Sequence, residues 1–79
     1  MFILQYSNDE NNVRCEVSYE EDDAPTLAFV FKKYAAGEWT GDVTITGFDA
    51  KSEPFAYRFF GNSEIASALL EQMEEMGHA

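Results

Sequence analysis

Near the middle of the chain runs Thr26-Leu27-Ala28-Phe29-Val30-Phe31-Lys32-Lys33-Tyr34. Read at a period of two, this stretch sets Leu27, Phe29 and Phe31 on one side and Ala28 and Val30 on the other. Its aromatic and β-branched content suits a strand. Four other segments share that period. Phe2 to Tyr6 puts Phe2, Leu4 and Tyr6 on one face. Val13 to Tyr19 alternates Val13, Cys15, Val17 and Tyr19 against Arg14, Glu16 and Ser18, the signature of a half-buried antiparallel strand. Trp39 to Phe48 turns Val43 and Ile45 one way and Thr40, Asp42, Thr44 and Thr46 the other. Phe55 to Phe60 closes the series with Phe55, Tyr57 and Phe59. Turn-forming stretches separate them: Asn8 to Asn12, Glu21 to Pro25, Ala35 to Glu38 and Asp49 to Pro54.

After Gly61 the period changes. Ile65, Ala66, Leu69, Leu70, Met73 and Met76 recur at steps of three and four, which makes one apolar stripe on a helix from about Ser63 to Met76. Asn62 or Ser63 supplies the N-cap, Glu64 suits the first turn, and Gly77 fits the C′ position. The expected class is α+β: a five-stranded antiparallel β-meander with one C-terminal helix packed on one face. The expected core sets Val13, Cys15, Val17, Leu27, Phe29, Phe31, Val43, Ile45, Tyr57 and Phe59 against Ile65, Leu69, Met73 and Met76.

Seventy-nine residues, with no linker, repeat or low-complexity segment, read as a single domain spanning 1–79. A chain this short is marginal, so its large apolar residues are needed inside. At 46% hydrophobic and 15% aromatic it is no disordered acidic tail. No apolar run reaches the length of a membrane span, and Met1 to Leu4 lacks the basic and apolar parts of a leader. A single cysteine, Cys15, excludes an internal disulfide and suits a reducing cytoplasm.

Fifteen acids oppose five bases, for a net charge of -10. Such a chain repels nucleic acid and anionic membranes, and its bases form no stripe that could reverse this. The excess is not a tail: residues 1–40 hold eight acids and three bases, residues 41–79 seven and two. Two places are dense. One is Glu16 with Glu20, Glu21, Asp22 and Asp23; the other is Glu71, Glu74 and Glu75. Asp42 adds to the polar sheet face. The helix acids sit at the negative end of a dipole, Glu71 and Glu75 repel at a four-residue spacing, and no lysine or arginine follows Asn62. A local rule broken without local compensation points to function. The chain also has more aromatics than one helix on one sheet covers. Phe48, Phe60, Ala28 and Val30 on the outward parity predict an apolar patch rimmed by carboxylates.

Catalytic and cofactor chemistry has no foothold in the pattern. The glycines are scattered, so no phosphate loop forms. One Cys and one His, Cys15 and His78, make neither a zinc site nor an activated nucleophile. The acidic runs lack the layout of a calcium loop. The expectation is therefore a non-enzyme with no cofactor and no metal. It is a small acidic binding or inhibitor protein whose carboxylates imitate nucleic-acid phosphates and block a basic, nucleic-acid-binding protein such as a nuclease or defence complex, of phage or bacterial immunity type. The partner-binding set is Glu16, Glu20, Glu21, Asp22, Asp23, Asp42, Glu71, Glu74 and Glu75. A second expectation is a non-enzymatic adaptor or structural subunit whose acidity gives solubility only. The end strands, Phe2 to Tyr6 and Phe55 to Phe60, would then be edges open to pairing as a homodimer.

Overall fold

The computed structural model describes residues 1–10, 12–48, 51–59 and 61–78. It is α+β, and its strands are antiparallel, but the described residues form four strands in two hairpins and two α-helices. The first hairpin pairs β1 (Phe2–Asn8) with β2 (Val13–Tyr19), in a register that sets Leu4 opposite Val17 and Gln5 opposite Glu16. A 3₁₀ turn (Glu21–Asp23) leads into α1 (Ala24–Ala35). The second hairpin pairs β3 (Val43–Phe48) with β4 (Pro54–Phe59), and α2 (Ser63–Glu75) follows. The order ββα therefore occurs twice.

The expected middle strand, Thr26 to Tyr34, is a helix. The reason lies in its other periodicity. Ala24, Leu27, Ala28, Phe31 and Tyr34 recur at steps of three and four, Val30 falls between them, and all six are buried. Phe29, expected inside, points out and is 53% exposed, while Ala28 and Val30, expected outside, are core. Pro25 occupies the first turn, where its missing N–H costs nothing, and Glu21, Asp22 and Asp23 lie at the positive end of the dipole. Lys32 and Lys33 stand in the last turn, where cations are favoured.

Both helices end alike. Gly37 and Gly77 take left-handed φ values of 76° and 80°. After α1, Glu38 N–H donates to the Lys33 carbonyl and Gly37 N–H to that of Tyr34, each at 3.0 Å. After α2, His78 N–H donates to the Met73 carbonyl at 2.9 Å and Gly77 N–H to that of Glu74 at 3.0 Å. These paired bonds are Schellman motifs, which use carbonyls a helix end leaves free. At the start of α2, the Asn62 side chain accepts from Glu64 N–H at 2.8 Å and Ile65 N–H at 3.2 Å.

One core joins the first hairpin to both helices: Leu4, Cys15, Val17 and Tyr19 from the strands, Leu27, Phe31 and Tyr34 from α1, and Ile65, Leu69 and Met73 from α2. Met76, expected in that layer, is 41% exposed. Val43, Ile45, Tyr57 and Phe59 hold the strand positions expected of them, but their side chains lie outside the described residues. The helices run antiparallel. Tyr34 of α1 reaches Gly61, just before α2, while Tyr19, just before the acidic turn that opens α1, reaches Met76 and His78 beyond α2. Each dipole thus ends beside the opposite pole of its neighbour. Gly61 is required by that packing: a Cβ there would run into the Gly41 carbonyl oxygen and, at 2.5 Å, the Tyr34 ring.

Helix α2 also lies along the outer edge of β1. Gln5 N–H donates to Gln72 Oε1 at 3.0 Å, and Gln72 Nε2 donates to the Gln5 carbonyl at 2.5 Å. The carboxamide bonds Gln5 as a neighbouring strand would, and so covers an edge that sequence alone leaves open. In the second hairpin, β4 is the strand that lies toward β2, which leaves β3 outermost.

Candidate functional site

The turn that carries Glu20, Glu21 and Asp22 and the last turn of α2, which carries Glu74 and Glu75, lie at the same end of the two helices. The link between them is Tyr19. Its hydroxyl lies 2.7 Å from Nδ1 of His78 and 3.6 Å from Sδ of Met76. The His78 ring stands edge-on to Phe2, with centroids 4.4 Å apart, and to Tyr19 at 5.7 Å. His78 is thus held between Tyr19 and Phe2. This packing sets the last turn of α2, with exposed Glu74 and Glu75, beside the turn that opens α1, with exposed Glu20, Glu21 and Asp22. Glu71 is exposed one turn earlier on α2.

Asp23 differs from the other four. It is 3% exposed, and its Oδ2 accepts from Glu20 N–H at 3.3 Å while its own N–H donates to the Glu20 carbonyl at 3.0 Å. That geometry fixes the 3₁₀ turn, so Asp23 positions the acidic loop and does not present a carboxylate to a partner. Glu20 faces the Met1 amino group at 3.6 Å, with both groups largely exposed, a contact of little energy. Glu20, Glu21 and Asp22 line one shallow groove with Lys51 and Glu53 from the turn between β3 and β4. Sequence distance concealed both neighbours: Lys51 tempers the acidic groove and Glu53 extends it.

Two expected site residues stand elsewhere. Glu16 is exposed in mid-strand on the outward face of β2 and accepts from Gln5 Nε2 at 3.2 Å. Asp42 lines a separate shallow cleft with Arg14 and Asn62, at the end where α2 begins. Among the described residues, no three His, Cys, Asp or Glu side chains converge as a metal site. Burial raises the Cys15 thiol above its ordinary value of 9.0 and the Tyr19 hydroxyl above 10.0, so both stay protonated at neutral pH.

The expected apolar patch is only partly in place. Phe48 is 75% exposed, Ala28 and Val30 are buried, and Phe60 lies outside the described residues. A different aromatic surface forms on α1. Phe29 meets Trp39 edge-on with centroids 5.7 Å apart, and Trp39 meets Tyr34 at 6.0 Å. Lys33 Nζ sits 5.5 Å from the Phe29 centroid and pairs with Glu38 at 3.1 Å. Among the described residues no helix is long and apolar enough to cross a membrane. No protein-family model, curated protein or solved structure matches the chain.

Proposed function

We propose that the chain is a non-enzymatic, cytoplasmic binding protein that uses its acidic end to occupy the cationic groove of a basic, nucleic-acid-binding protein, as an inhibitor of phage or immunity type would. The observation that carries this reading is that Tyr19, next to exposed Glu20, Glu21 and Asp22, packs against Met76 and His78, which follow exposed Glu74 and Glu75, so both acidic segments lie at the same end of the two helices. Carboxylates on a rigid surface present the charge that a Lys/Arg groove is built to accept, and such complementarity acts mainly on the rate of encounter. Two variants test it, Glu20→Gln/Glu21→Gln/Asp22→Asn and Glu71→Gln/Glu74→Gln/Glu75→Gln. Affinity capture from a bacterial lysate with mass spectrometry supplies the partner, and association kinetics at two salt concentrations supply the measurement. The expected result is slower association and a flatter salt dependence for both variants. Unchanged association in both would leave the acids as a solvated surface.

A further inference from the structure

Two strands of this chain, β1 and β3, carry no charged residue, and they are the two outer strands. Uncharged outer strands invite pairing with another chain, and folded proteins guard them. β1 is guarded: Gln72 takes both backbone groups of Gln5, and α2 lies over that edge. β3 has no such guard. Its ladder runs to β4 on one side, β4 is the strand of this hairpin that lies beside β2, and among the described residues no backbone bond leaves the other side of β3. Its sequence, Val43-Thr44-Ile45-Thr46-Gly47-Phe48, lacks proline and joins high strand propensity to zero charge. Thr44, Thr46 and Phe48 are exposed on one face, Phe48 to 75%.

We infer that β3 is a self-association edge, and that its occupant is the β3 of a second copy, antiparallel across a two-fold axis. The alternation selects that occupant. A pair centred on Thr46 sets threonine against threonine at the axis and Phe48 of each copy against Thr44 of the other, an aromatic on a β-branched residue. The two hairpins then become one four-stranded sheet, which relieves the weakness of a two-stranded ribbon. Charge sets the sign of the salt effect. Each copy carries -10, so the copies repel at long range while the strand that joins them is neutral. Salt screens the repulsion and leaves the backbone pairing intact, so dimerisation strengthens as salt rises. Binding of a basic partner to the acidic end weakens under the same change, which separates the two associations.

Sedimentation equilibrium of the full chain up to about 1 mM, at about 0.05 M and about 0.5 M salt, tests the inference. The expected result is a dimer whose dissociation constant falls at least about tenfold at the higher salt. The β3 amides should exchange more slowly as protein concentration rises. Thr46→Lys opposes two ammonium groups at the axis and should return the protein to monomer. If that variant loses its circular dichroism, the concentration dependence of β3 exchange in the unaltered protein decides. A monomer at both salts, a dimer weakened by salt, or a dimer that a folded Thr46→Lys variant leaves intact would overturn the inference.

Discussion

Phe29 and Phe31 stand two positions apart and face opposite ways. Phe31 is fully buried and Phe29 is 53% exposed. Truncating Phe31 to Ala should cost about 3–5 kcal/mol and Leu69 to Ala about 2–5. Phe29→Ala should cost under about 1 kcal/mol, because water already covers half of it. Denaturant midpoints of the three variants check this, and a strand through Thr26 to Tyr34 would instead make both Phe changes equally severe. Cys15 gives a pH test. Its thiol is raised above 9.0 in the fold, so the folded state holds its proton where the unfolded chain has lost it. Its contribution is complete below about pH 9 and is lost as pH climbs through the raised value. Tyr19 acts in the same direction from 10.0 upward. Denaturant midpoints should fall above about pH 9, and Cys15→Ala should delay the fall.

At the level of elements, both hairpins and α2 are legible because each has one apolar face with an unbroken period. Helix α1 is not, because two periods overlap in it. Leu27, Phe29 and Phe31 are the largest side chains between Ala24 and Phe31 and alternate like a strand, while the true stripe runs through small Ala24 and Ala28. The boundary residues hold the clearer signal: acids and Pro25 before the helix, lysines and Gly37 after it. The same positions suggest graded substitutions. Gly61→Ala should unfold much of the protein, since Gly41 backbone stands where the methyl would go, whereas Gly37→Ala and Gly77→Ala should each cost about 1–2 kcal/mol for a left-handed residue with open space around it. Thermal melts rank the three, and equal losses would show that the Gly61–Gly41 approach does not limit the fold. The Gln72 contact joins residues 67 apart, and no local pattern reports it. Gln72→Ala should speed amide exchange at Gln5 well beyond the change in global stability.

Over the whole molecule, the acidic residues were legible as types but not as a site. The turn acids that look strained in sequence open a helix, where the dipole favours them, and Asp23 is a buried strut. Only the helix acids keep an unfavourable setting, the last turn of α2, eased by the opposed start of α1. Replacing Glu71, Glu74 and Glu75 by Gln should therefore raise stability by some tenths of a kcal/mol per site, or about 1 in all, while Glu21→Gln and Asp22→Asn should lower it slightly. Opposite shifts in melting temperature for the two sets check the argument. The purified protein should also leave labelled DNA and RNA unshifted at low salt, since its net charge of -10 opposes binding.

The contacts of Gln5 with Gln72 and of Phe2 and Tyr19 with His78 bear on how the chain is made. A chain emerging from the ribosome can form the first hairpin and begin α1 early, since both are local. Their apolar faces stay open until Ile65, Leu69 and Met73 arrive to cover them. Closing so wide a loop costs entropy that only the finished core repays. Leu27, Phe31 and Tyr34 thus stay open to a holding chaperone until α2 has formed, and its docking ends that exposure in a single step.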